Sequence, residues 1–249
     1  MHEVTSLLRH DGEYDMCSKK RKNQLSVDLI IIGITMVIAL VAVLGIWGNG
    51  LNKFAYDGTK NIVLRVVVIG ICGQFGLAGL GITIVCLIRK ERFTQFGLRI
   101  KNIVPSVLLS LACCIPDLIY CLIKGKVHFW CPFWDVNTTP EVLASAFPYN
   151  VIAFLITAAC WGFFEGFNYV VIRDKISEMY PSKHRLWDMG ACVCAVMCIV
   201  IHGVIGVTPD AIIEMITTLV LIYGMLIVRK ETGNAWGCIA VFFLYWNAL

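Results

Sequence analysis

The chain has 249 residues, of which 58% are hydrophobic and only 15% are charged. Soluble domains carry about 25% charged residues, so this composition excludes an ordinary soluble globular domain. The net charge of +4 is modest. No basic patch with interleaved aromatic residues occurs, which argues against a nucleic-acid partner.

The predicted elements are helices long enough to cross a bilayer. Residues 1–26 are polar and are predicted to form a cytoplasmic tail, and residues 27–249 are predicted to form one transmembrane domain. A hydrocarbon core needs about 20 apolar residues in a helix that crosses it. We therefore predict an all-α, polytopic membrane helix bundle of about seven transmembrane helices. Their apolar runs lie at about 27–47, 62–88, 103–123, 149–172, 188–206, 211–228 and 234–248.

Basic residues are unevenly distributed among the segments between these runs. If the N-terminus is cytoplasmic, the inner segments are the tail, 89–102, 173–187 and 229–233, and they hold 16 of the 21 Lys and Arg residues. Cytoplasmic loops of membrane proteins are enriched in Lys and Arg. The pattern predicts an integral, multi-pass protein whose partner is the lipid bilayer, with a cytoplasmic N-terminus and the C-terminus on the opposite side.

Glycines at short spacing indicate where helices approach closely. Gly162 and Gly166 form a GxxxG step on the fourth predicted helix, and the second predicted helix carries four glycines at intervals of three residues. Small residues at this spacing let the backbone of another helix come near. We expect both features to serve helix packing.

Ionisable residues within a transmembrane helix are costly, so each is a functional candidate. Asp117 follows Pro116, a pair that indicates a kink near the interface, and Glu214 lies near the start of its helix. Glu165 and His202 lie well inside theirs, and Asn247 adds a buried amide on the last helix. We expect Glu165, His202 and Asn247 to come from three helices and to face one cavity.

The depths of these residues differ when they are counted along the predicted helices. At about 1.5 Å per residue, Glu165 lies roughly 10 Å from the inner end of its helix, whereas His202 and Asn247 lie roughly 20 Å from theirs. The difference shrinks if the fourth helix continues toward Tyr180.

The order of these residues resembles the CPBP family of intramembrane proteases, which includes CAAX prenyl endopeptidases and proteins of the bacteriocin-processing and abortive-infection type. A helix with a glutamate is followed by a helix with a histidine and, after a Thr-Gly-Asn turn at 232–234, by a last helix that ends in Trp-Asn-Ala-Leu. The resemblance covers about 149–249. It implies that Glu165, His202 and Asn247 are the catalytic residues. It also implies that Glu165 and His202 hold or activate a water, with zinc as their metal if the site is active.

The chain departs from the family pattern, which is Glu-Glu-x-x-x-Arg, Phe-x-x-x-His and His-x-x-x-Asn. Glu165 has no adjacent glutamate, and Tyr169 or Val170 stands at the arginine position. Cys198 replaces the phenylalanine, and Phe243 replaces the last histidine. A catalytic zinc normally has three protein ligands. We therefore expect a divergent, catalytically degenerate homologue with a buried polar site and no identified cofactor.

Other functions remain open. One is an active intramembrane endopeptidase that acts on hydrophobic or prenylated peptides, and another is a small-molecule or ion transporter that uses Asp117, Glu165 and His202. A scaffold without a site is a further alternative. Contact among Glu165, His202 and Asn247 favours the family interpretation, whereas a continuous polar path through Asp117 favours transport.

Overall fold

The computed structural model describes residues 2–46, 48–127, 129–203 and 205–249, together with their side chains from residue 19 onward except that of residue 46. Within these residues the fold is all-α, which confirms the predicted class. The α-helices are α1 His2–Val41, α2 Gly48–Ala55, α3 Ile62–Ile69, α4 Leu80–Arg89, α5 Ile103–Ala112, α6 Ile115–Ile123, α7 Thr139–Ala144, α8 Tyr149–Thr157, α9 Glu165–Met179, α10 Met189–His202, α11 Pro209–Thr232 and α12 Trp236–Val241.

These helices combine into a multi-pass membrane bundle. Among the described residues, five helices are long and apolar enough to cross a membrane, namely Lys19–Gly45, Ile62–Arg89, Ile103–Ile123, Tyr149–Met179 and Pro209–Thr232. Two shorter apolar helices, Met189–His202 and Trp236–Trp246, occupy the places of the fifth and seventh predicted helices. These seven segments are called the first to seventh spans in chain order.

Four segments of the bundle are π-helical, and Phe93–Phe96 forms a short 3₁₀ turn. A π-helix makes a wider turn than an α-helix, so it shifts the faces of the residues that follow it. Three of the segments lie within the second, fourth and seventh spans. The π-helical segments are Ala42–Ile46, Gly70–Gly79, Ala158–Phe164 and Phe242–Trp246.

The first and fourth spans are longer than the apolar runs indicated. Helix α1 begins at His2, so the predicted tail and the first span form one continuous helix. The fourth span continues to Met179 rather than ending at 172. Glu165 therefore lies 14 residues from the end of α9, and His202 lies 13 residues from the start of α10. Each is roughly 20 Å from the same end of the bundle, which removes the difference in depth.

Glycines bring the spans into close contact, as their spacing predicted. A methyl group at Gly166 would lie 2.8 Å from the Cα of Ile239, so the fourth and seventh spans nearly touch there. On the second span, a methyl group at Gly76 would lie 3.4 Å from the Cβ of Ala39 on the first, whereas nothing lies within 4 Å of the same position at Gly73. Backbones this close leave no room for a side chain between them.

Ion pairs join the ends of the first, second and fourth spans at one end of the bundle, which is called the basic end. Arg21 on the first span pairs with Glu178 at 2.6 Å, and Lys175 on the fourth span pairs with Glu91 at 2.8 Å. At the opposite end, Lys126 pairs with Glu214 at 3.0 Å. The prediction that 173–187 is a connecting loop was wrong at its start. Arg173 and Lys175 belong to α9 because buried carboxylates neutralise their charges.

Candidate functional site

Three polar residues from three spans meet in the middle of the bundle. Glu165 opens α9 directly after the π-helical segment Ala158–Phe164, and His202 is the last residue of α10. Asn247 follows the π-helical segment Phe242–Trp246 at the end of the seventh span. The Nε2 atom of His202 lies 3.6 Å from Oε1 of Glu165, and Nδ2 of Asn247 lies 3.4 Å from Oε2. The structure thus brings together the three residues that the sequence singled out.

Glu165 is the most enclosed member of the group. It is 5% exposed, and its carboxylate faces an imidazole on one side and an amide on the other. A separation of 3.6 Å exceeds a normal N–H···O hydrogen bond, so His202 and Glu165 are close neighbours rather than a directly bonded pair. His202 also packs edge-on against Trp246, with ring centroids 5.2 Å apart. The ring of Trp246 thus packs against the imidazole that lies beside the carboxylate.

Asn247 is occupied within the protein. Its Nδ2 atom lies 3.1 Å from the carbonyl oxygen of Trp161, 3.2 Å from that of Phe242, and 3.4 Å from Glu165. An amide nitrogen carries two hydrogens, so three acceptors use its whole donor capacity. The residue therefore ties the seventh span to the fourth and has no N–H left for a substrate carbonyl.

A cavity of about 220 Å³ lies beside Glu165 and His202, between the first, second, fourth and fifth spans. The His202 side chain keeps 31% of its surface exposed, so the cavity is not closed off from the surroundings of the bundle. Asn247 is not among the lining residues, because it lies behind Glu165. The cavity wall consists of Met36, Leu40, Gln74, Leu77, Ala78, Glu165, Asn168, Tyr169, Met197, Ile201 and His202.

The donor set does not fit a zinc ion with three protein ligands. Glu165 and His202 supply two donors, and the described residues contain no group of three His, Cys, Asp or Glu side chains arranged to hold a metal ion. Phe243, at the family's histidine position, packs against Phe133 with ring centroids 5.0 Å apart and fills the space beside Gly162. Its ring belongs to an aromatic cluster with Phe133, Phe154 and Trp161.

Asp117 and Glu214 belong to a second polar cavity at the end opposite the basic end. Asp117 accepts hydrogen bonds from the hydroxyls of Tyr245 at 2.7 Å and Thr217 at 2.6 Å. Glu214 accepts one from Lys126. The third span breaks between Ala112 and Ile115, beside Asp117, where the sequence indicated a kink. The cavity measures about 570 Å³ and shares no described lining residue with the cavity at Glu165.

Sequence reasoning missed several buried polar groups. Asp28 is fully buried in the first span, where Arg89 at 2.7 Å and Lys175 at 2.9 Å donate to it. Asn168 and Gln74 line the cavity at Glu165. Helical spacing could have found Asn168, because a residue three positions after Glu165 lies on the same helix face. No local signal in the sequence points to Gln74 or to the partners of Asp28.

Comparisons with protein-family models, with curated proteins and with solved structures found no match to this chain. The site itself consists of a buried carboxylate and a neighbouring imidazole, beside a cavity with largely apolar walls in a membrane helix bundle.

Proposed function

We propose that this protein binds a hydrophobic or lipidated peptide in the cavity beside Glu165 and His202, and that it is a divergent, catalytically degenerate homologue of the CPBP intramembrane proteases. One observation carries the proposal. His202 and Asn247, which with Glu165 hold the family's positions in the sequence, place a nitrogen 3.6 and 3.4 Å from the carboxylate oxygens of Glu165.

The cavity suits a ligand that arrives through the bilayer. Its walls are mainly aliphatic and thioether side chains, and the helices on either side carry exposed apolar residues such as Ile38 and Val200, as lipid-facing helices do. In the cavity wall, His202 supplies a hydrogen-bond donor and an acceptor in its neutral form. Apolar walls with a few convergent polar groups are typical of ligand sites.

Binding without cleavage follows from how the polar groups are used. All the donor capacity of Asn247 is directed to Trp161, Phe242 and Glu165. The second glutamate and the last histidine of the family pattern are replaced by Phe164 or Gly166 and by Phe243. A general base can act only on a group within hydrogen-bond reach and with the transition-state charge stabilised. Here Glu165 has neither the second glutamate nor the last histidine of the family pattern beside it.

Photo-crosslinking tests the proposal. A farnesylated peptide and an unmodified hydrophobic peptide, each with a diazirine in its apolar part, are incubated with the protein in lipid vesicles and irradiated. We expect the probes to attach to residues of the first, second or fifth span. Labelling should be at least several-fold lower in His202→Ala. The matched control is His184→Ala, because His184 is exposed at the basic end. Equal labelling of wild type and His202→Ala would rule out this site.

An active endopeptidase is the second candidate function. The neighbouring carboxylate and imidazole favour it, because acid–base pairs of this kind move protons during hydrolysis. It differs from the first proposal in a single observable, which is cleavage of the bound peptide.

We also infer that the basic end of the bundle faces the cytoplasm. The excess of Lys and Arg in the inner segments supports this orientation. It places the N-terminus inside and the C-terminus on the other side, as seven crossings require. Reporter fusions after Lys22 and after Leu249 test it, and reporters on the same side would contradict it.

A further inference from the structure

Two amide side chains line the cavity without a hydrogen-bonding partner among the described residues. Asn168 lies three residues after Glu165 on α9, is 4% exposed and borders the cavity. Gln74 lies across from it in the π-helical segment Gly70–Gly79 of the second span and is half-buried. Neither donates to nor accepts from another described side chain or carbonyl group. Both are unlike Asn247, whose amide nitrogen is fully engaged.

The polar atoms of both amides keep some accessible surface beside the cavity that they line. The hydrocarbon region of a bilayer offers no water to pair with them there. Both side chains line the cavity, so a molecule that enters it can reach both. A molecule that enters the cavity and pairs with them would recover the lost hydrogen bonds.

The chemistry of the two amides defines what they can pair with. Each offers two N–H donors and one carbonyl acceptor, so the complementary group both donates and accepts. A secondary amide does this, because its N–H group donates and its carbonyl oxygen accepts. A ligand carboxylate would meet the carboxylate of Glu165 in the same cavity, and an ester would leave the amide carbonyls without a donor.

We propose that Gln74 and Asn168 recognise a secondary amide of the ligand, while the ligand's apolar chain lies against Met36, Leu40 and Leu77. This inference rests on the proposed function and names the group that the cavity recognises. The source of that amide is the backbone of a membrane-embedded peptide. A membrane lipid with an amide linkage has the same chemistry, and the experiment separates the two.

The test uses three diazirine probes with one 14-carbon chain that ends in a secondary N-methyl amide, a methyl ester or a methyl group. The intact protein is labelled with each in phosphatidylcholine vesicles. We expect the amide probe to label wild type several-fold more than the ester or the hydrocarbon. Gln74→Leu and Asn168→Leu should remove that preference, so that the amide, ester and hydrocarbon probes label equally, whereas Asn52→Leu at an exposed position should retain it.

Competition identifies the source of the amide. An unlabelled hydrophobic peptide should suppress labelling by the amide probe, and an equal amount of ceramide should not. The reverse result would assign the site to an amide lipid and overturn the peptide assignment. Size-exclusion chromatography in detergent checks the fold. Because Gln74 is half-buried, its variant decides the question if Asn168→Leu does not fold.

The failure of this inference differs from the failure of the proposed function. An amide preference that survives both leucine variants would overturn the role of Gln74 and Asn168, while labelling by the farnesylated peptide that depends on His202 would still support the site. Loss of all peptide labelling at the cavity would overturn both proposals.

Discussion

Nδ2 of Asn247 lies 3.4 Å from Oε2 of Glu165, and the same nitrogen reaches two backbone carbonyl oxygens. The side chain therefore joins the end of the seventh span to the middle of the fourth. Removal of one partner from a buried hydrogen bond costs about 1–3 kcal/mol. A residue that satisfies three acceptors is thus expected to matter for folding whether or not it takes part in chemistry.

Asn247→Ala should lower the free energy of unfolding by about 1–3 kcal/mol, because two carbonyl groups and a carboxylate lose their donor. Asn247→Asp should be more damaging, since it sets a second carboxylate beside Glu165. Thermal unfolding in detergent measures both, with Asn52→Ala at an exposed position as the control. Wild-type stability in Asn247→Asp would contradict the hydrogen-bond assignment.

Lys175→Met should destabilise the protein by about 1–3 kcal/mol, because the buried carboxylate of Asp28 loses one of its two cationic partners and keeps Arg89. Lys175 is 2% exposed and Asp28 is fully buried, with 2.9 Å between Nζ and Oδ2. Arg185→Met, which breaks a pair in which the arginine side chain is 78% exposed, should cost about 0–1 kcal/mol. Adding Asp28→Asn to Lys175→Met should recover part of the loss, and equal effects of Lys175→Met and Arg185→Met would refute the buried network.

Gly166→Ala should lower the free energy of unfolding by about 1–3 kcal/mol. The added methyl group would overlap the backbone at Ile239 and force the fourth and seventh spans apart. Gly33→Ala is the matched variant, since nothing lies within 4 Å of its added carbon. Alanine is favoured over glycine in a helix by up to about 1 kcal/mol, so Gly33→Ala should be neutral or stabilising. The same sign for both variants would argue against close packing at Gly166.

Stability should fall in acid through Asp188, which caps α10 outside the membrane spans. Burial acts to raise the pKa of Asp188, but hydrogen bonds from Arg173, Ser177 and the Ala191 amide outweigh it and leave the pKa below its ordinary value. A lowered folded-state pKa contributes stability above the unfolded pKa of about 3.9, and this is lost as the pH falls through the folded value. Asp188→Asn should therefore be less stable than wild type at pH 7. The difference should narrow below about pH 4, and a constant gap from pH 7 to pH 3 would contradict the assignment.

The all-α membrane bundle and the meeting of Glu165, His202 and Asn247 could be predicted from the sequence, whereas five of the seven predicted spans have the length and apolar composition to cross a membrane. Polar groups stand out in apolar runs, and the cost of exposing them to lipid directs them to one another. The end of the fourth span could not be predicted in this way. Arg173 and Lys175 have the composition of a loop, and the carboxylates that neutralise them, Asp188 and Asp28, lie 15 and 147 positions away in the chain.

Faces of the π-helical spans were also beyond sequence reasoning. A spacing of four residues places Phe243 and Asn247 on the same face of an α-helix. The seventh span is π-helical from Phe242 to Trp246, so this phase does not hold. Phe243 lies in the cluster with Phe133, and Asn247 turns toward Glu165. The same uncertainty in phase concealed Gln74 in the second span.

We propose that the cavity binds a hydrophobic peptide and leaves it intact. A farnesylated peptide with two fluorophores is mixed with the purified protein in lipid vesicles, with and without added zinc. Fluorescence anisotropy measures binding of the peptide, and loss of energy transfer between the fluorophores measures its cleavage. We predict saturable binding that weakens in His202→Ala, with no cleavage under either condition. Cleavage that a chelator abolishes, and that Glu165→Ala and His202→Ala also abolish, would contradict the account and establish an active protease.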